Sequence, residues 1–198
     1  MLVECEDLDE VLALAEPVRL VPGVEDVVPG ERTLLVTVRV PDQLEAVRRA
    51  LPGLASGARP VVSRSRTVEI PVVYDGPDLA EVAAHTGLSV DEVVAAHTAT
   101  PWRVGFGGFA PGFAYLVGGD PRLEVPRRPE PRSSVPSGAV GLAGRYSGIY
   151  PRSSPGGWQV IGRTDAVLFD VEADPPALLR PGDTVRFVDV GEKGVGRG

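Results

Sequence analysis

Lysine is nearly absent from this sequence: Lys193 is the single lysine, beside 19 arginines. The folded region therefore cannot contain a site that depends on lysine, such as a Schiff-base lysine, a biotinyl-lysine or the lysine of a phosphate-binding loop. Cys5 is the single cysteine, so neither an intramolecular disulfide nor a cysteine-based structural zinc can form. Two histidines, His85 and His97, leave little room for a histidine-rich site, and we expect no bound metal.

Long apolar runs are also missing. No run approaches the roughly 18 residues of a transmembrane helix, and no signal segment opens the chain. Together with the low cysteine content, this predicts a soluble protein in the cytoplasm. The net charge of −7 argues against binding to nucleic acid or to an anionic membrane.

Charge is unevenly distributed along the chain. Residues 1–99 carry a net charge of −9 and residues 100–198 a net charge of +2. Arginine presents a planar set of donors that suits carboxylates and phosphates. The cluster between residues 121 and 152 therefore predicts either an anion site or a solvated basic surface; it contains Arg122, Arg127, Arg128, Arg132, Arg145 and Arg152.

Glycine and proline, by contrast, are abundant, with 24 and 20 residues, while 43% of the chain is hydrophobic, which is too much for a disordered protein. Of the 61 residues from 100 to 160, 21 are glycine or proline. Short β-prone pieces joined by such turns predict a closed or nearly closed β-barrel. These pieces are 102–106, 113–117, 160–163, 166–169 and 184–188.

The first sixty residues have a different pattern. A helix around residues 11–15 is expected to end at Pro17, and a hairpin follows with strands at 24–28 and 33–38. A second helix is predicted over residues 41–51, and 55–60 is a plausible linker. This order is compatible with a ferredoxin-like unit. We predict domains at 1–63 and 64–190 and a frayed tail at 191–198.

Two short helices are predicted after a strand at 67–74. The first runs from Asp78 to His85 and ends at Gly87, which can adopt the left-handed conformation. The second begins at the capping box formed by Ser89 and Glu92 and reaches His97. A DNA-binding helix-turn-helix is an alternative, but the acidic faces of both helices argue against it.

The segment 105–116 alternates glycines with aromatic residues, which allows close approach of backbone to a ligand or partner. It matches neither a dinucleotide-binding nor a phosphate-loop pattern. Two further segments, 126–144 and 148–164, combine proline-pinned arms with glycine turns and are predicted to form binding loops. His97 is the better candidate for a catalytic histidine, although a histidine at a helix C-terminus is more often a cap.

Taken in order, these segments resemble the allophanate hydrolase subunit 1 family, also described as carboxyltransferase domain, subdomain C and D. The family includes the B subunit of ATP-dependent 5-oxoprolinase and a Kip-type inhibitor of a histidine kinase. The resemblance is dense over about residues 68–170. Its motifs include Gly76-Pro77-Asp78-Leu79, Pro111-Gly112-Phe113, Pro126-Arg127, Pro131-Arg132, Gly148-Ile149-Tyr150-Pro151 and Pro155-Gly156-Gly157-Trp158.

The resemblance implies an N-terminal ferredoxin-like domain followed by a mainly-β cyclophilin-like barrel. It also implies a partner that is similar to allophanate hydrolase subunit 2 or to the C subunit of 5-oxoprolinase, with a third subunit in 5-oxoprolinase. Such a complex converts 5-oxoproline, ATP and water to glutamate, ADP and phosphate. ATP is then expected at the level of the complex, with none bound by this chain alone.

In this enzyme hypothesis, Arg127 and Arg132 contact an anion, and His97 supports a loop or acts as a base. The other predicted substrate-binding residues are Ser137, Ser147, Tyr150, Gly156 and Trp158. The predicted interface or loop residues are Phe109, Pro111, Gly112, Phe113 and Tyr115.

Two alternatives remain: an inhibitor that docks on a histidine kinase through the 105–116 loop, and a scaffold subunit without active-site atoms. The barrel type also suggests a prolyl isomerase, but a fold alone does not determine a function. Arg145-Tyr146-Ser147 stands where the family commonly has Gln-Gln-Thr, so a different small amide or carboxylate is also possible as substrate.

Overall fold

The computed structural model of the chain describes residues 1–57 and 66–191. It divides into two compact units, Met1–Arg64 and Ser65–Gly198. The boundary predicted after residue 63 and the predicted tail, apart from Gly191, lie outside the described residues.

The helices are α1 (Leu8–Arg19), α2 (Leu44–Gly57), α3 (Leu79–Thr86) and α4 (Val90–Ala99). The strands are β1 (Leu2–Glu4), β2 (Val24–Pro29), β3 (Thr33–Val38), β4 (Thr67–Val72), β5 (Trp102–Gly107), β6 (Ala114–Val117), β7 (Arg132–Val135), β8 (Ala139–Ala143), β9 (Tyr146–Ile149), β10 (Ser154–Gly156), β11 (Gln159–Arg163) and β12 (Thr184–Asp189).

The first unit contains an antiparallel sheet with the strand order β1-β3-β2. The predicted hairpin is confirmed as β2 and β3. Helix α1 begins after Asp7, whose carboxylate accepts a hydrogen bond from the backbone N–H of Glu10. The prediction that Pro17 ends this helix is wrong, because α1 continues to Arg19. Leu14 and Val18 are buried on either side of Pro17, and this packing holds the last turn.

The second helix of this unit extends past its predicted end. Residues Pro41–Gln43 form a 3₁₀ turn, and α2 then runs through Pro52 to Gly57. The first residues of the predicted linker, 55–57, are therefore helical. Residues 58–60 of that linker lie outside the described part of the chain.

The second unit is built on a seven-stranded sheet with the order β11-β8-β9-β6-β5-β12-β4. The two outermost strands approach each other where Val73 and Arg163 exchange backbone hydrogen bonds of 2.9 Å in both directions. This bridge makes the sheet a nearly closed barrel, as the turn-rich sequence predicts. A separate pair, β7 and β10, lies outside this sheet.

Most β-prone pieces in the sequence form strands, with one exception. The strand predicted over 166–169 is wrong: the segment has an isolated bridge between Phe169 and Ala177 and no neighbouring strand. Strands β7 to β10 occur where the sequence suggests loops. All five residues of β8 are buried, so this strand lacks the alternation of apolar and polar residues that would have revealed it.

Helices α3 and α4 confirm the local signals in the sequence. Gly87 ends α3 with φ +71°, and Ser89 forms both hydrogen bonds of the capping box with Glu92. No helix among the described residues is long and apolar enough to cross a membrane.

Candidate functional site

A pocket of about 460 Å³ in the second unit is lined mainly by aromatic rings. Its rings come from the turn between β5 and β6, from β6, from β9 and the residue that follows it, and from the segment that precedes β11. Such a concave, largely apolar site with few polar groups is the usual form of a small-molecule site. The lining residues are Phe109, Phe113, Tyr115, Pro126, Arg127, Ala143, Gly144, Tyr146, Tyr150, Pro155, Gly156 and Trp158.

The rings hold one another by edge-to-face contacts. The Phe113 centroid lies 5.1 Å from that of Tyr115 and 5.4 Å from that of Trp158, with interplanar angles of 70° and 84°. This is a favoured geometry for aromatic pairs. Tyr150 also fits closely against Gly156, where a Cβ atom would overlap the phenol oxygen. A glycine is therefore needed at position 156 to keep the shape of this wall.

Phe109 lies at the mouth of the pocket and is strained. It is 57% exposed, and its φ of +64° is the left-handed conformation that side chains other than glycine rarely adopt. Its ring lies 5.2 Å from that of Phe113 and 6.1 Å from that of Tyr150. Strain of this kind is commonly found at ligand-binding sites.

Arg127 is the single charged residue among those that line the pocket. Within the described residues, no carboxylate forms an ion pair with it, whereas its neighbours Arg128 and Arg132 are both paired. Burial raises the pKa of Tyr150, while the Trp158 backbone and the charge of Arg127 act in the opposite direction. The pocket therefore combines flat apolar walls with one guanidinium group.

Asp78 holds a cluster of arginines beside the pocket. Its carboxylate accepts hydrogen bonds from Nη1 and Nη2 of Arg132, at 2.8 and 2.7 Å, and from Nη1 of Arg128, at 2.6 Å. The backbone N–H of Val160 donates another, at 2.7 Å. Burial alone raises the pKa of Asp78, but the Arg132 and Val160 hydrogen bonds and the two guanidinium charges outweigh burial and lower it.

His97 lies away from the pocket, fully buried on α4. Hydrogen bonds join its Nδ1 to the Tyr74 hydroxyl, at 2.7 Å, and its Nε2 to the Ser147 hydroxyl, at 2.9 Å. Phe187 stacks on the ring with centroids 4.2 Å apart. Burial lowers the pKa of His97 to about 3, so the imidazole is neutral near pH 7. Burial raises the pKa of Tyr74 well above its usual value, and the charge of Asp189 adds to this.

The structure brings seven of the predicted site residues together in the pocket: Phe109, Phe113, Tyr115, Arg127, Tyr150, Gly156 and Trp158. Pro111 and Gly112 lie in the same turn as Phe109. The Ser137 hydroxyl donates to the Pro151 carbonyl at 3.0 Å, and Arg132 is bound to Asp78. Ser147 and His97 contact each other outside the pocket lining. Their roles in substrate binding or catalysis stay predictions.

Two residues of the site are not evident from the sequence. Asp78 stands before α3, where an acidic residue suggests an N-cap, but its side chain makes no capping hydrogen bond. Tyr146 stands out only as a departure from the family pattern, and it lines the pocket. No group of three His, Cys, Asp or Glu side chains in residues 1–57 and 66–191 is placed to hold a metal ion.

Known proteins resemble this chain over most of its length. The B subunit of 5-oxoprolinase from Escherichia coli O157:H7 is 47% identical over 180 residues, which cover 88% of this chain and 82% of that protein. The B subunit of 5-oxoprolinase from Bacillus subtilis (strain 168) is 48% identical over 153 residues, 75% of this chain and 64% of that protein.

A solved structure has the same fold. The crystal structure of TTHA0988 superposes with a TM-score of 0.79 at 39% sequence identity and covers 100% of this chain. This chain spans 40% of the TTHA0988 chain. The family model described as carboxyltransferase domain, subdomain C and D, matches residues 2–179. This match confirms the resemblance found in the sequence, and the chain belongs to the family of the carboxyltransferase domain, subdomain C and D.

Proposed function

We propose that this chain is one subunit of an ATP-dependent amide-processing complex of the 5-oxoprolinase type. The observation that carries the proposal is the 47% identity to a protein named as the B subunit of 5-oxoprolinase, over 82% of that protein. The names of the relatives favour this function over inhibition of a histidine kinase. The proposed reaction converts 5-oxoproline, ATP and water to glutamate, ADP and phosphate.

The aromatic pocket suits the proposed substrate. The flat lactam ring of 5-oxoproline can lie against aromatic faces such as that of Trp158, and its carboxylate can bind the Arg127 guanidinium. Tyrosine hydroxyls at the wall offer hydrogen bonds to the ring amide. This chain would then bind and orient the substrate.

The reacting groups are expected on partner subunits. The pocket lining in the described part of the chain contains no carboxylate, imidazole or thiol, and Lys193 is the single lysine in the sequence. We therefore propose that ATP binds at the level of the complex, on a partner similar to the C subunit of 5-oxoprolinase or on a third subunit. A location in the cytoplasm, expected from the sequence, is part of the same proposal.

The finer fold assignment is also a proposal. The first unit has the order strand, helix, two strands, helix among the described residues, and this order supports the ferredoxin-like assignment. The nearly closed sheet of the second unit supports the cyclophilin-like assignment implied by the family resemblance.

Reconstitution tests the proposed function. The purified subunits are mixed with 5-oxoproline and ATP, and glutamate is measured. We expect turnover to require this chain, and undiminished turnover without it would contradict the proposal. Because Tyr146 departs from the family pattern within the pocket wall, a panel of cyclic and linear amides belongs in the same assay.

A matched pair of variants tests the pocket itself. Arg127→Gln removes the charge that binds the carboxylate and is expected to raise the KM for 5-oxoproline about tenfold or more. Arg122→Gln makes the same charge change at an exposed arginine that pairs with Asp120 outside the pocket, and its KM should stay near that of the wild type. Equal KM values for the two variants would contradict the role of Arg127.

A further inference from the structure

Arg127, Arg128 and Arg132 are close together in the sequence and lie at or beside the pocket, but their side chains have different surroundings. Arg127 is exposed and lines the pocket. The side chains of Arg128 and Arg132 are each 25% exposed and are bound to Asp78, whose side chain is 3% exposed. One buried carboxylate thus engages two of the three guanidinium groups.

The charges of this cluster cancel. Arg128 and Arg132 carry two positive charges; Asp78 carries one negative charge, and Glu81, 3.5 Å from Arg128, carries another. Arg127 therefore contributes the one positive charge that is left uncompensated among these five groups. A site with one uncompensated charge favours a singly charged anion, because a dianion would bring a second charge that no group balances.

Asp78 also fixes the backbone around the pocket. Besides its side-chain contacts, its backbone N–H donates to the Val160 carbonyl at 3.0 Å, and the Arg128 N–H donates to the Gly157 carbonyl at 2.8 Å. These bonds hold the segment that carries Arg127 against the residues that precede β11. The Asp78 carboxylate adds to this hold, because it accepts from the Val160 N–H and from the Arg128 guanidinium. Asp78 therefore contributes both to the charge balance and to the position of Arg127.

We propose that Asp78 determines which anions the pocket accepts, because together with Glu81 it neutralises Arg128 and Arg132 and leaves Arg127 as the guanidinium presented to a ligand with a single carboxylate. Asp78 is a positioning and specificity residue that acts through the arginines and does not touch the ligand. This inference deepens the proposed function, on which it rests, because it defines the substrate class of the same pocket as monoanionic.

The test is labelling of the full chain with phenylglyoxal, followed by mass spectrometry of each arginine. In the wild type, Arg127 should be labelled about tenfold faster than Arg128 and Arg132, because the latter two are paired and partly buried. In Asp78→Asn, the three rates should lie within about threefold of one another. Equal rates in the wild type, or an unchanged pattern in the variant, would overturn the inference.

The anion selectivity of the pocket is measured by how well added anions protect Arg127 from labelling by phenylglyoxal. Acetate should protect the wild type at lower concentration than sulfate. Asp78→Asn removes one negative charge, so the net positive charge of the cluster rises by one. The sulfate concentration that gives half protection should therefore fall about tenfold relative to that of acetate. An unchanged ratio of these two concentrations, with protection as strong as in the wild type, would overturn the proposal. General loss of structure would weaken protection by both anions, and Arg132→Gln then decides.

Two further variants keep the test decisive. Asp75→Asn makes the same charge change at an exposed carboxylate that pairs with Arg163, and it should leave the ratio unchanged. Arg132→Gln removes a positive charge and should shift the ratio in the opposite direction, toward acetate, even if Asp78→Asn fails to fold. A shift toward sulfate in Arg132→Gln would contradict the charge balance.

5-Oxoproline, the proposed substrate, is the third anion in this protection assay. If 5-oxoproline does not protect Arg127 while acetate does, the proposed function is in doubt and the role of Asp78 stands. If all three anions protect the wild type and Asp78→Asn alike, the proposed function stands and the role of Asp78 is wrong.

Discussion

Tyr146 and Ser147 are neighbours in β9, yet they belong to two regions of opposite chemistry. The Tyr146 ring lines the aromatic pocket, where Arg127 is the single charged side chain. The Ser147 hydroxyl is fully buried and bonds to His97, among residues that pack in the core of the barrel. The pocket is open, whereas the His97 side chain is fully buried and both of its ring nitrogens are hydrogen-bonded. We infer that the buried region supports the fold and that the pocket carries the binding.

The largest expected effect is that of His97→Ala on stability. The variant leaves a cavity and removes the partner of the buried Ser147 hydroxyl and of the partly buried Tyr74 hydroxyl. It should lower the free energy of unfolding by about 3–5 kcal/mol. Both tryptophans lie in the second unit, so urea unfolding followed by their fluorescence reports this value. His85→Ala changes the exposed histidine and should cost no more than about 0.5 kcal/mol. Unchanged stability with lost turnover would instead place His97 in the chemistry.

Gly156→Ala tests the pocket side of the comparison. The added methyl group would overlap the Tyr150 hydroxyl, and we expect a loss of about 1–3 kcal/mol together with weaker binding of 5-oxoproline. Gly157→Ala is the matched control, because its Cβ would meet Pro131 at an ordinary 3.6 Å. Calorimetry of both variants gives the stability and the affinity, and equal results would mean that the Tyr150 contact is unimportant.

The pH dependence of stability reports the neutral state of His97. Burial lowers the pKa of His97 to about 3, while the unfolded chain binds a proton below about pH 6.5. The unfolded state thus binds more protons, so stability falls as the pH falls, by about 2 kcal/mol between pH 7 and pH 5. Urea unfolding at the two values should show that His97→Gln loses this dependence and that His85→Gln keeps it. An equal dependence in wild type and His97→Gln would contradict the burial argument.

The smallest change in stability is expected for Phe109→Gly. Glycine relieves the left-handed strain at φ +64°, but it also makes the unfolded chain more flexible, so stability should stay within about 1 kcal/mol of the wild type. Loss of the ring should still weaken ligand binding. Phe109→Asn, which tolerates the same conformation, should give the same loss, and wild-type affinity in either variant would remove Phe109 from the site.

Local signals in the sequence predict those elements whose causes are local. The capping box at Ser89 and the left-handed turn at Gly87 depend on residues a few positions apart, and the structure confirms both. Whether Pro17 ends α1 could not be predicted from local signals, because the burial of Leu14 and Val18 in the first unit decides where this helix ends.

The candidate site was predictable in part for the same reason. The aromatic residues of the 105–116 segment stand out in the sequence and do reach the pocket. The partners of His97 and Asp78 could not be found, because Ser147 is 50 residues from His97 and Arg132 is 54 residues from Asp78. Only the folded sheet brings such pairs within hydrogen-bond distance.

The position of β12 has a consequence for the order of folding. This strand lies between β5 and β4 and pairs in parallel with β4, from Thr184 beside Thr67 to Asp189 beside Val72. The sheet therefore cannot be completed until residues 184–189 have been synthesised. During translation, the edges of β4 and β5 remain open until that moment, and pairing over so long a sequence distance is slow. We expect a chain that ends before residue 184 to aggregate when it is expressed.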